Sequence, residues 1–252
     1  MRRRLPRYDY LYLGDNARAP YGSRSFDVVF DFTRQAVEEL FSHGCQLVIL
    51  ACNTASAKAL RTIQQTVLPE KYPGRRVLGV IRPTAEAIGS ITRSRHIGVL
   101  ATPGTAQSHS YAMEVEKLFP EVKVNELACP MFVPLVENEE ATSEGADYFV
   151  KKYIDRIMAD DPDIDTLVLG CTHYPILYPK IRKYAPADTK IVAQGDLVAE
   201  SLADYLRRHP EIEQKCSKNG TVEFLTTENT AKFDYLASLF MKEKVEATRI
   251  SL

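Results

Sequence analysis

The chain has 252 residues, room for one large or two small domains, and its 45% hydrophobic content supplies a real core. With 32 basic against 33 acidic residues the net charge is −1, and no long run of like charge appears, which excludes the electrostatic footprint of a nucleic-acid binder and points to a small partner. The five cysteines are an odd number, no apolar stretch follows Arg2, Arg3 and Arg4, and no segment approaches membrane-spanning length; we expect no signal peptide, no membrane partner and a cytoplasmic setting.

In chain order, the three arginines read as a solvated helix end, followed at once by a short aromatic strand, Tyr10 to Gly14. A doubly wound domain normally opens with a strand and its crossover helix, so the chain reads as though it begins in mid-domain. Residues 15–25 (DNARAPYGSRS) form a polar loop on the ligand side of that strand, where the amides of Tyr21 and Gly22 are placed to meet a carboxylate or simply to turn the chain. Val29, Phe32, Ala36, Val37, Leu40 and Phe41 then mark one helical face, closed by Gly44. Cys45 is expected to be a small buried residue.

Residues 46–58, QLVILACNTASAK, carry the strongest signal in the chain. Leu47 to Ala51 are apolar without alternation, which suits a strand buried on both faces of a parallel sheet. Cys52 ends that strand, and Asn53 and Thr54 are able to open a helix. Beyond it we expect a loop over 69–76, a buried strand over 77–81 interrupted by Pro83, a helix over 84–92 and a strand over 96–101. Thr102, Pro103, Gly104 and Thr105 then form a polar turn opening a helix through Leu118. A strand over 122–127 leads to Cys129 and to the apolar run that Glu137 ends; a helix over 143–158 follows. The strand phrase then recurs as TLVLGCTHYP, residues 166–175, with Cys171, Thr172 and His173 at its end. A helix over 178–184, a strand over 190–193, a helix over 197–208, a strand over 221–226 and a helix over 230–241 complete an alternating pattern that predicts an α/β fold with mostly parallel sheets.

The two cysteine phrases lie 119 residues apart, too far for a redox pair but suited to equivalent positions in two duplicated units. A thiol at one strand end suggests a nucleophile. Two equivalent thiols suggest one acid/base group on each face of a small substrate, the requirement for inverting a stereocentre. His173 and Glu137 stand as proton partners for the second thiol. A zinc site from Cys52, Cys129, Cys171 and His173 fits no usual ligand spacing. A papain-like nucleophile leaves the second phrase unexplained.

LGDNARAPYG at residues 13–22, ILACNTASA at 49–57, VPLVE at 133–137 and LGCTHYP at 169–175 resemble the motifs of the glutamate racemases, in the aspartate/glutamate racemase superfamily. The resemblance implies two pseudo-symmetric α/β domains facing across a cleft, here residues 1–82 with 194–252 and residues 83–193. It further implies a homodimer that needs neither cofactor nor metal and interconverts L- and D-glutamate for peptidoglycan synthesis. On this resemblance Cys52 and Cys171 are the bases, His173 and Glu137 assist the second, and Tyr21, Gly22, Asn53, Thr54 and Thr172 contact the substrate. The family opens with a strand ending in Asp-Ser-Gly, which residues 1–9 do not supply; Asp9 is not followed by Ser-Gly and Asp15 belongs to the later motif. We therefore expect a gap beside the Tyr10 and Leu47 strands and a weakened first half-site. An inactive glutamate-binding or interaction protein of the same fold, or a racemase for a related amino acid such as aspartate, are the alternatives.

Overall fold

The computed structural model describes residues 1–241 and 243–252. Its strands are β1 (Tyr10–Gly14), β2 (Leu47–Leu50), β3 (Arg76–Gly79), β4 (His96–Ala101), β5 (Lys123–Ala128), β6 (Thr166–Gly170), β7 (Lys190–Val192), β8 (Val222–Thr226) and β9 (Ala247–Arg249), with helices between them. Every ladder is parallel, and the sheet orders are β1-β8-β9, β2-β3 and β5-β4-β6-β7. Parallel strands need crossover connections, which is why apolar strand phrases alternate with helical ones along the sequence.

The four-stranded sheet is a two-sided core. Period-two alternation sends Leu100, Leu167 and Leu169 to one face, where they meet Phe132, Ile154, Ile157 and Tyr174. Ile97, Val99, Ala101 and Val168 go to the other, against Ile88, Tyr111 and Val115. All five residues of β6 are buried. β2 departs from the expected pattern: Val48 and Leu50 are buried, but Leu47 and Ile49 are only half-buried and Ala51 is exposed. Its outer face packs against a small cluster of Tyr8, Leu202, Leu206 and Ile212 rather than a full helical layer. Among the described residues β1 and β2 share no ladder, so one edge of each is left open where the sequence led us to expect a gap.

Several boundaries differ from expectation. Leu68–Lys71 is helical, not loop, because Pro69 lies in the first turn, where a missing N–H costs nothing. Pro83 likewise sits in the first turn of Ile81–Ile91, so β3 stops at Gly79 and the helix starts three residues earlier than expected. The helix after the Thr102 turn breaks at His109, which adopts φ 52°, into Pro103–Ser108 and Ser110–Leu118. Arg2, Arg3 and Arg4 are exposed, as expected, but lie in a turn closed by Arg4 and Leu5 N–H donating to Met1 O. Cys45 is half-buried. Gly44 does close the Phe26–Ser42 helix, at φ +90°, a conformation that a side chain would strain.

Candidate active site

Both phrase cysteines stand just past the C-terminal ends of parallel strands, the side on which open α/β sheets bind ligands. Cys52 follows β2 and is the N-cap residue of Asn53–Lys58. Cys171 follows β6, where the chain turns into a 3₁₀ helix, Tyr174–Leu177, rather than an α-helix. Although the two thiols belong to different sheets, Cys52 is close enough to Cys171 for charge on one to disfavour charge on the other.

Burial pushes both thiols up. For Cys52 the N–H groups of Ala55 and Thr54, with the Thr54 hydroxyl, act against that rise by stabilising a thiolate. The Cys171 thiol is pushed up to about 12, chiefly by burial and only partly offset by the His173 N–H and the Thr172 side chain. Cys171 Sγ lies 3.7 Å from His173 Nδ1, and His173 Nε2 lies 3.2 Å from Glu137 Oε1. A carboxylate can only accept, so His173 Nε2 donates to Glu137; in the tautomer with its one proton on Nε2, the Nδ1 lone pair faces the sulfur. The hydrogen bond from His173 in turn holds the Glu137 carboxyl below its ordinary value, against a smaller upward push from burial. The result is a chain of polar contacts from Cys171 through His173 to a half-exposed carboxylate. Cys129, by contrast, is buried in the core with its Sγ 3.6 Å from Leu127 O, and burial raises its thiol strongly.

The loop carrying Tyr21 and Gly22 is tied to the β4 turn. Gly104 N–H donates to Gly22 O at 2.7 Å, and a Cβ on Gly22 would sit 2.8 Å from Thr102 Cβ, so only glycine permits this approach. The Tyr21 hydroxyl donates to Asp15, which also accepts from Arg18 Nε at 2.7 Å and Thr227 Oγ1 at 2.9 Å. Among the described residues neither the Tyr21 nor the Gly22 N–H has an acceptor, which leaves both available to an anion. Thr172 is exposed beside Cys171.

Thr54 and Asn53 are both buried. The Thr54 hydroxyl lies 2.9 Å from that of Thr102 and 3.3 Å from that of Thr105, a cluster joining the two cysteine-bearing halves. The Asn53 side chain is held by Tyr111 and Gln194, its Nδ2 donating to Gln194 Oε1 at 2.7 Å and its Oδ1 accepting from Tyr111 Oη at 2.7 Å. Thr102, Thr105, Tyr111 and Gln194 were not singled out from the sequence. The Thr-Pro-Gly-Thr turn at the end of β4 carried a signal for the first two, being a third strand end on the same side as both thiols. Nothing local marks Tyr111 or Gln194. The zinc alternative is not assembled: among the described residues the cluster with ligand-like spacing is His96, Asp161 and Asp163, none of them at the cysteines.

Residues 1–202 match the family model for Asp/Glu/hydantoin racemases. The chain belongs to the Asp/Glu/hydantoin racemase family. Among its relatives in this family, a glutamate racemase of Ruegeria pomeroyi is 38% identical over 253 residues, spanning 96% of this chain and 91% of the relative. One from Levilactobacillus brevis is 38% identical over 246 residues, with 97% and 86% covered. The crystal structure of a glutamate racemase isoform from Bacillus anthracis superposes with TM-score 0.90 at 32% identity, covering all of this chain and 91% of that one. A Francisella tularensis glutamate racemase, solved with D-glutamate, gives TM-score 0.85 at 29% identity, with 98% and 89% covered. These likenesses cover nearly the whole length of this family member.

Proposed function

We propose that this chain interconverts L- and D-glutamate by a two-thiol mechanism. The observation that carries the assignment is the pairing of Cys52 with a Cys171–His173–Glu137 path across two parallel sheets, in a chain so similar to named glutamate racemases. One thiolate removes the Cα proton from one face of glutamate while the thiol on the other face delivers a proton to the planar carbanion; the reverse reaction exchanges the roles. His173 accepts the Cys171 proton at Nδ1, and Glu137 stabilises the imidazolium so formed. The free amides of Tyr21 and Gly22, with the hydroxyls of Thr54 and Thr172 and the Asn53 backbone, orient the substrate's carboxylates and amine. Protein groups alone supply these roles, with no call on a cofactor or metal.

The same proposal includes a homodimer, a cytoplasmic setting and a division into residues 1–82 with 194–252 and residues 83–193. The sheets support that division, since β1, β2, β3, β8 and β9 fall in the first range and β4 to β7 in the second. Among the described residues no helix is long and apolar enough to cross a membrane.

The test is racemisation followed by circular dichroism, starting from each enantiomer. Cys52→Ala and Cys171→Ala should each lose at least about 10²- to 10⁴-fold in rate, because neither proton acceptor nor donor can be spared. In deuterated water each Ser variant should wash deuterium into one enantiomer faster than the other. Full activity in either Ala variant would sink the two-base assignment. Glutamate binding without turnover in the unaltered chain would replace it with the binding-protein alternative.

A further inference from the structure

Asn53, Tyr111 and Gln194 close a ring of three hydrogen bonds. Asn53 Nδ2 donates to Gln194 Oε1 at 2.7 Å, Gln194 Nε2 donates to Tyr111 Oη at 2.6 Å, and Tyr111 Oη donates to Asn53 Oδ1 at 2.7 Å. Tyr111 has no exposed surface and Asn53 is 2% exposed. The members come from helix Asn53–Lys58 directly after Cys52, helix Ser110–Leu118 on the four-stranded sheet, and the first residue of helix Gln194–Arg208. The ring therefore joins the element that carries Cys52 to the sheet that carries Cys171.

Its sense is fixed from outside. Thr84 Oγ1 donates to Val80 O at 2.8 Å, so towards Gln194 the Thr84 oxygen can only accept, as the Val80 carbonyl can only accept. Gln194 Nε2 meets both, at 2.8 Å and 3.3 Å. The amide group must therefore face them with its nitrogen, which sets Oε1 towards Asn53 and so the direction of every bond in the ring. With Asn53 and Tyr111 buried and Gln194 half-buried, the ring is stiff, because turning Asn53 or Tyr111 leaves a buried donor or acceptor unpaired.

We propose that Tyr111 and Gln194 are positioning residues for the first base: they lock the Asn53 side chain and thereby the Cys52–Asn53 turn. That turn sets the Cys52 sulfur, and the Thr54 and Ala55 N–H groups beside it, against one face of the substrate. The inference rests on Cys52 and Cys171 being the two bases. It differs from a general role in stability because the ring's hydrogen bonds end on Asn53, next to Cys52; the aromatic ring of Tyr111 itself packs near Gly170, just before Cys171, and Tyr111→Phe leaves that packing in place while removing the hydrogen bond. Cys171, whose side chain meets His173 and through it Glu137, has no hydrogen bond to the ring.

The test uses α-deuterated D- and L-glutamate with the full chain and calibrates each face with Cys52→Ser and Cys171→Ser. Tyr111→Phe should lower kcat by about 10- to 100-fold, as a small misplacement of a reacting group does, with KM within about threefold. Its primary isotope effect should rise only for the enantiomer on which Cys52→Ser acts. Gln194→Met should give the same one-sided signature and carries the measurement if Tyr111→Phe does not fold. An equal rise for both enantiomers, a rise on the Cys171 face, or unchanged kinetics would overturn the positioning role. If the two Ser variants show no face selectivity, the two-base assignment has failed instead, and the ring's role goes with it.

Discussion

At the scale of single residues, the proposed mechanism makes proton traffic at the second thiol turn on Glu137. Its carboxyl is held below the ordinary value by the hydrogen bond from His173, so the carboxylate supports the path at and above about pH 4.3, where an unperturbed glutamate titrates. A depressed folded pKa means that this contribution is fully present above the unfolded value and is lost as pH falls through the folded one. Glu137→Gln should lower kcat about 10- to 100-fold at neutral pH and abolish the corresponding acid step in the kcat profile. A Gln variant with the unaltered profile would remove Glu137 from the path. The residues at the strand ends were legible in the sequence because small polar residues and a thiol directly after an apolar strand have few packing uses. Tyr111 and Gln194 were not, since a tyrosine within an ordinary helix and a glutamine at a helix start carry no local mark of the ring they close.

At the scale of elements, prolines explain most misplaced boundaries. Pro69 and Pro83 read as interruptions in a one-dimensional pass, yet both occupy first turns, where proline is pre-organised for helix. The break at His109 left no trace, because a non-glycine residue with positive φ is set by tertiary context. Here that context is Glu126, which accepts from His109 Nδ1 at 3.0 Å and from Tyr111 N–H at 3.3 Å. Asp161 shows how elements are tied at the opposite end of the same sheet. Burial alone would raise its carboxyl, but hydrogen bonds from Lys123, His96 and Asn125 hold it well below the carboxylate range. It thus fastens the end of helix Glu144–Asp160 to β4 and β5. Asp161→Asn should cost about 2 kcal/mol at neutral pH, the worth of hydrogen bonds to a buried charge, read by urea denaturation. The stabilisation is present above about pH 3.9 and fades as pH falls through the lowered value, so the difference between the unaltered protein and the Asp161→Asn variant should shrink in acid. A gap that stays constant down to strongly acid pH would show that shape, not charge, holds the site.

At the scale of the whole molecule, the two halves are built to different standards. β4 and β6 are each paired on both sides and lie between two buried apolar clusters. In the other half β1, β2, β3 and β9 each have a single strand partner among the described residues, and Leu47 and Ile49 are only half-covered. Amides in such strands exchange through local openings that need not unfold the molecule, whereas those of β4 and β6 exchange only when their half does. Hydrogen exchange read by mass spectrometry should therefore find β4 and β6 slowest and β1 and β2 at least about tenfold faster, a difference of about 1.4 kcal/mol in opening free energy. A substrate that contacts both strand ends binds only when both halves are formed, so D-glutamate should slow exchange in β2 and the Cys52 turn more than in β4. The comparison is made on one sample with and without glutamate. Equal protection of β2 and β6 in the free protein would mean that the open edges cost nothing. Ligand protection confined to the Cys171 side would mean that substrate is held by one half alone, which a base on each face does not allow.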